Sequence, residues 1–278
     1  MKVAVLTDST AYIPSELRKK YNIHLVYLSV VFDDKSYREE VDITTTEFYE
    51  KMRGAKELPT TSQPSVGQIL EKYEELADEY DAVISIHLSS KISGTYQAAV
   101  SAGKMVEGIK VYTYDSEYSC MVQGFYVLEA AQMVQQGKSP EEILARLEDI
   151  KQSVKAYFMV DDLTNLQKGG RLSNAQALIG SMLKIKPILH MVEGEILPFE
   201  KIRTRKKAIS RIMGMLEEDA QQKKISKVVF IHGNDEDAAI ELRDQFLKQY
   251  PHFDTYISYF GPVIGTHLGE HSLGIAWY

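Results

Sequence analysis

Short apolar runs recur along the chain, and several stop abruptly in hydroxyl or acidic residues. Val3 to Leu6 reads as a buried strand ending in Thr7-Asp8-Ser9-Thr10, and Pro14 suits the first turn of a helix through Lys20. Leu25 to Phe32, rich in β-branched residues, reads as a second strand. Thr44 with Glu47 and Ser65 with Gln68 have capping-box spacing, so helices are expected to about Met52 and about Tyr80. Between them Pro59-Thr60-Thr61-Ser62-Gln63-Pro64 is a loop that cannot continue a helix.

The pattern then alternates. A strand at 82–88, a helix at about 95–106, a strand at 109–114 closed by Asp115-Ser116, a helix at about 119–136 and another from Ser139-Pro140-Glu141-Glu142 follow in order. A strand near Val154 to Val160 leads to a short helix over 161–167, ended by Lys168-Gly169-Gly170-Arg171. Ile185 to Met191 and Ile196 to Pro198 predict a hairpin around Glu193-Gly194. A helix at about 204–219, strands at 226–232 and 254–259, a helix at 236–249 and a glycine-rich tail from Gly261 to Tyr278 complete the chain.

Strands alternating with helices predict an α/β protein with two domains. The N-terminal domain, 1–158, is expected to hold a mainly parallel sheet wrapped by helices. A smaller C-terminal α/β domain takes 159–278. A length of 278 residues, beyond the usual ~100–200 of one domain, points the same way. Ligands of such sheets bind beyond the carboxyl ends of the strands. Three of these ends, Thr7 to Thr10, Ser89 to Thr95 and Asp115-Ser116, are built from short polar side chains.

The segment Ala82 to Ala99 is the most informative. A strand runs through the hydroxyl-rich Ser89-Ser90-Lys91-Ile92-Ser93-Gly94-Thr95 into a helix N-terminus, where N–H groups and the positive helix end meet, a seat for a carboxylate or phosphate. The plainer alternative is a helix merely capped by Ser93 or Thr95.

Charge and composition narrow the function classes. The formal net charge of −7 argues against a general nucleic-acid binder. A single cysteine, Cys120, forms no internal disulfide and reads as a packing residue rather than a nucleophile. The start of the chain is not a signal peptide, and no stretch approaches the ~20 apolar residues of a membrane helix, so a cytoplasmic protein is expected. Neither G-x-x-x-x-G-K-[ST] nor G-x-G-x-x-G occurs, which speaks against the standard ATP and NAD loops, and G-x-S-x-G is missing too. His267-Leu268-Gly269-Glu270-His271 matches H-x-x-E-H, but that chemistry needs a continuous helix, which Gly265, Gly269 and Gly274 oppose, so no metal is expected. Lys201 to Lys207 is a basic stretch in an acidic chain: a solvated helix start, or a docking patch centred on Arg203 and Arg205 for an acidic partner or membrane headgroups.

Taken together, several segments carry a resemblance. Thr7-Asp8-Ser9-Thr10, Thr60 to Ser65, Leu88 to Tyr96, Gln167 to Ser173, Lys186-Pro187-Ile188-Leu189 and Gly261 to Gly269 occur in the order seen in the DegV family. The chain resembles that family, and more narrowly its FakB type, the fatty acid-binding subunits of bacterial fatty acid kinase. The resemblance implies a two-domain α/β fold with a lipid tunnel. It implies one long-chain fatty acid whose carboxylate is bonded by Thr61 and Ser93, with Arg171 and His267 beside it. It further implies that the protein is not an enzyme alone and has no cofactor of its own. It presents the fatty acid to a separate kinase subunit, which brings ATP and magnesium and makes acyl phosphate for phospholipid synthesis. The family's last loop often reads glycine-proline-glycine, whereas this chain has Gly269-Glu270-His271-Ser272, a change at the rim of the site or in partner contact. Two other classes remain open: a stand-alone hydrolase or phosphotransferase using Ser93 and His267, and a lipid-sensing regulatory protein.

Overall fold

The computed structural model describes residues 1–161, 163–172, 186–222 and 225–278. In chain order the first elements are β1 (Val3–Asp8), α1 (Ser15–Tyr21), β2 (Ile23–Val26), β3 (Ser29–Phe32), β4 (Lys35–Arg38), α2 (Thr45–Gly54) and β5 (Thr60–Ser62). Next come α3 (Val66–Ala77), β6 (Ala82–His87), α4 (Thr95–Gly103), β7 (Lys110–Asp115), α5 (Cys120–Gln135) and α6 (Pro140–Ser153). The remainder holds β8 (Lys155–Met159), α7 (Thr164–Lys168), β9 (Ile188–Val192), β10 (Glu195–Glu200), α8 (Arg205–Gln221), β11 (Lys227–His232), α9 (Glu236–Gln249), β12 (Asp254–Tyr259), α10 (Pro262–Leu268) and β13 (Leu273–Trp277).

The chain divides into two compact units, Met1–Asp42 with Thr61–Ser153, and Ile43–Thr60 with Val154–Tyr278. The sequence pattern predicts a single cut at 158/159. The division instead falls at 153/154, and residues 43–60 belong with the later half, so the second unit is not the smaller. The physical reason is α2. It carries the expected Thr44–Glu47 capping box, and its buried Phe48 and Tyr49 pack with the C-terminal tail.

The first unit is built on a four-stranded parallel sheet, order β2-β1-β6-β7. β1 and β6 are buried almost throughout, as strands covered on both faces must be, which explains their continuous apolar runs. Ile69, Tyr73 and Leu76 of α3 and Ala98, Ala99 and Ala102 of α4 pack with Leu6 and Val83 in one core. The Ser65–Gln68 capping box opens α3 as expected. The expected strand over 25–32 is two: β2 lies in the parallel sheet, whereas β3 pairs antiparallel with β4 in a small sheet of order β4-β3-β5.

The second unit holds a six-stranded sheet, order β10-β9-β8-β13-β11-β12, antiparallel except where β11 meets β12. The β9–β10 turn has positive φ at both Glu193 and Gly194, 49° and 82°, the geometry of a two-residue hairpin turn whose twist matches its strands. Ile185, expected to start this hairpin, lies outside the described residues, as does Ser173. Ile212, Met213 and Leu216 of α8 pack with Phe230, Phe246 and Trp277 in the unit's core. The glycine-rich tail, left without elements in the sequence reading, forms α10 and β13.

Candidate functional site

In the first unit the strand ends supply a buried polar network. The Asp8 carboxylate accepts from Thr10 N–H at 3.1 Å, Thr10 Oγ1 at 2.6 Å and Leu88 N–H at 2.9 Å, and pairs with His87 Nδ1 at 3.0 Å. Burial pushes the Asp8 carboxyl up, but the hydrogen bonds and charge of these partners outweigh it and hold it below its ordinary value. His87 Nε2 lies 2.7 Å from Ser85 Oγ, which accepts from the Tyr73 hydroxyl at 2.8 Å. Ser85, His87 and Asp8 thus stand at the spacings of a nucleophilic triad. All three are fully buried and Ser85 is held by Tyr73, so the string braces the sheet. Sequence reasoning missed it; the signal was Ser85 and His87 at alternate positions of an apolar strand.

The same network fixes the loop that carries Ser93. Leu88 is held to Asp8, Ser89 N–H donates to Tyr118 O at 2.8 Å, and the N–H groups of Ile92 and Ser93 donate to Ser89 O at 3.2 and 3.1 Å. Ser93 Oγ lies 2.9 Å from Thr95 Oγ1 and accepts from Thr95 N–H at 3.3 Å. The N-cap of α4 is Gly94, which offers no side chain, so Ser93 is not the cap. Gly94 also lets the Thr61 segment approach: a β-carbon there would stand 2.2 Å from Gln63 Oε1. Thr61 sits on β5, two residues before that glutamine. The structure therefore brings the Thr61 and Ser93 segments together within one unit.

Arg171 and His267 belong to the second unit. α7 ends in a Schellman motif, with Arg171 N–H donating to Leu166 O and Gly170 N–H to Gln167 O, both at 3.1 Å, and Gly170 at φ 68°. The Arg171 guanidinium turns back to donate to Gly169 O. His267 stands in the last turn of α10, its imidazole against Gly169, where a β-carbon would be 2.3 Å from Nδ1. Asn165 Nδ2 donates to Thr266 O at 3.1 Å and binds α7 to α10. From α2, Tyr49 donates to Phe260 O at 2.8 Å, and Arg53 pairs with Glu270 at 2.7 Å. Burial, reinforced by the Arg171 charge, pushes the His267 imidazole down to about 4, so it is neutral near pH 7. In this unit a guanidinium thus stands beside a neutral imidazole that can donate and accept.

The remaining expected groups fall elsewhere. Arg203 is exposed, but Arg205 is turned into its own unit, where Nη2 pairs with Asp235 at 2.7 Å and Nη1 donates to His271 O. The H-x-x-E-H match is broken as expected: α10 ends at Leu268, Glu270 is held by Arg53 and Asn234, and His271 has φ 61°. Among the described residues no cluster of three or more histidine, cysteine or acidic side chains could hold a metal ion. Cys120 is buried, which pushes its thiol well up and away from the reactive thiolate.

Comparison with known proteins gives this geometry its context. A family model described as "Uncharacterised protein, DegV family" matches residues 2–278. Protein DegV of Bacillus subtilis is 56% identical over 278 residues, covering 100% of this chain and 99% of the relative. The crystal structure of DegV from that organism, a fatty acid binding protein, superposes with a TM-score of 0.95 over 100% of this chain and 99% of the other. A DegV family protein from Thermus thermophilus, solved for its fatty acid binding, is 33% identical with a TM-score of 0.92, covering 100% of this chain and 99% of the other. A fatty acid binding DegV family protein from Streptococcus agalactiae is 31% identical with a TM-score of 0.91, covering 100% and 98%. With matching segments from Thr7 to Gly269 and a match spanning nearly every residue, this chain belongs to the DegV family.

Proposed function

We propose that this protein binds one long-chain fatty acid, buries its acyl chain, and holds the carboxylate with Thr61, Ser93, Arg171 and His267. The observation that carries the reading is the full-length likeness, at 56% identity, to a relative solved as a fatty acid binding protein, with the Thr61 and Ser93 segments side by side. Physical magnitudes support it. Burying about fourteen methylenes of a sixteen-carbon chain contributes on the order of 11 kcal/mol before the cost of ordering the chain, enough for micromolar affinity or better. A buried carboxylate needs partners, and two hydroxyls, a guanidinium and a neutral imidazole supply them.

In this reading the protein is a carrier of the FakB type, working in the cytoplasm with no cofactor of its own. It presents the carboxylate to a separate kinase subunit, which uses ATP and magnesium to form acyl phosphate for phospholipid synthesis. Hydroxyl donors hold the anion without a tight bidentate ion pair and leave one oxygen able to attack the γ-phosphate. Of the basic stretch, exposed Arg203 is the residue that would meet the kinase subunit or a membrane surface, while Arg205 is held by Asp235 and His271 O. The test is the double substitution Thr61→Ala with Ser93→Ala. Fatty acid affinity and acyl-phosphate formation with added kinase subunit, ATP and magnesium should both fall more than tenfold. Undiminished phosphorylation contradicts the assigned role.

A further inference from the structure

The two consecutive glycines after α7 answer different demands. Gly170 has φ 68° with nothing among the described residues within 4 Å of its absent β-carbon, so its glycine serves backbone conformation. Gly169 is the reverse. Its φ of −73° and ψ of −13° suit any residue, and a helix end there would ordinarily favour alanine. What excludes a side chain is the neighbour: a β-carbon would fall 2.3 Å from His267 Nδ1 and 3.0 Å from His267 Cε1. The third of its three nearest atoms among the described residues is Asn165 O at 3.0 Å, the oxygen that already accepts from the Gly169 N–H. The helix that carries the ring is held by Asn165 at Thr266 O, the segment leading into it accepts from Tyr49 at Phe260 O, and the hydroxyl of Tyr49 fills the space beside Gly265.

From this geometry we infer that Gly169 is a positioning residue, a seat that sets the His267 imidazole beside Arg171. Its carbonyl completes the seat by accepting from the Arg171 guanidinium, so one residue fixes both polar groups. A methyl group at 169 drives the ring out of the seat without straining the backbone. The consequence for ligand binding rests on the carrier reading above; the seat itself does not.

The experiment is a double-mutant cycle between Gly169→Ala and His267→Ala, read in two ways. The first readout is the His267 imidazole resonances of the ligand-free protein. Gly169→Ala shifts them, whereas Gly170→Ala, which disturbs the same helix end through its backbone alone, lowers Tm and leaves them in place. The second readout is fatty acid affinity. Gly169→Ala lowers it at least tenfold in the wild-type background and less than twofold once His267 is alanine. If Gly169→Ala alone fails to fold, the double variant regains the fold because the ring is gone. Unmoved imidazole resonances, an equal loss of affinity in both backgrounds, or a double variant that stays unfolded would each overturn the inference. Should the wild-type protein take up no fatty acid, the carrier reading fails, and the resonances still decide the seat.

Discussion

The side-chain amide of Gln63 occupies the space where a side chain at Gly94 would begin: a β-carbon on Gly94 would stand 2.2 Å from Gln63 Oε1 and 3.1 Å from its Cδ. Two segments distant in sequence, β5 with Thr61, which is a strand where the sequence predicts a loop, and the loop with Ser93, thereby approach each other closely. Gly94 has φ −80° and ψ 4°, which alanine adopts freely, so Gly94→Ala acts through Gln63 and not through the backbone. Gln63 is exposed and can swing away. Gly94→Ala should therefore cost less than about 1 kcal/mol of stability in urea denaturation, yet weaken fatty acid binding several-fold. Pairing it with Gln63→Ala should restore part of the affinity.

Asp8 should prove the costliest polar residue of the first unit. Its carboxylate is fully buried and satisfies His87, Thr10 and the Leu88 N–H together. Asp8→Ala leaves those partners unmet, and denaturant unfolding should show a loss of about 3–5 kcal/mol. Because its folded pKa is lowered, the stabilisation it gives is present above the unfolded value of 3.8 and disappears as pH falls through the folded value.

His267 produces a second and separable pH window. Its folded pKa is lowered to about 4 from 6.5. Between those values the unfolded chain binds a proton that the folded chain refuses. Stability is then complete above pH 6.5 and falls toward pH 4, by about 3 kcal/mol in the ligand-free protein. His267→Gln should flatten that part of the stability profile and leave the acid limb of Asp8 in place.

The tail depends on α2. Tyr49→Phe removes the donor to Phe260 O and should cost about 1–2 kcal/mol. Gly265→Ala would set a β-carbon 2.5 Å from the Tyr49 hydroxyl, so it should destabilise more in the wild type than in a Tyr49→Phe background, a coupling that thermal unfolding of the four variants measures.

The basic stretch at the start of α8 should split by residue. Arg203→Glu is expected to leave Tm and lipid binding intact while weakening coupling to the kinase subunit. Arg205→Glu should lower Tm as well, because it breaks the contacts to Asp235 and to His271 O. Equal coupling with and without Arg203→Glu would remove the docking role.

Local rules made much of this fold readable. The capping boxes at Thr44–Glu47 and Ser65–Gln68 form as spaced, and α9 and β12 fall on the expected residues. What escaped was set by distance or by glycine. β2 and β3 read as one apolar run, but the chain changes sheets between Val26 and Ser29. α10 and β13 were hidden by Gly261, Gly265, Gly269 and Gly274; Gly265 and Gly274 pack closely against Tyr49 and Phe260. The Asp8–His87 pair spans 79 residues, beyond any local pattern. The assignment of residues 43–60 to the second unit rests on contacts of Phe48 and Tyr49 with the tail, which no periodicity encodes. Of the four residues proposed to hold the carboxylate, Ser93 is marked by its strand–loop–helix junction, whereas Thr61, Arg171 and His267 are marked by the family pattern alone.

The central claim is tested most directly by native mass spectrometry of the purified protein, followed by denaturing lipid extraction. The account predicts one added mass per chain in the range of a C14–C18 fatty acid, recovered intact and unchanged on extraction. A protein that is purified empty and takes up no added fatty acid would contradict it.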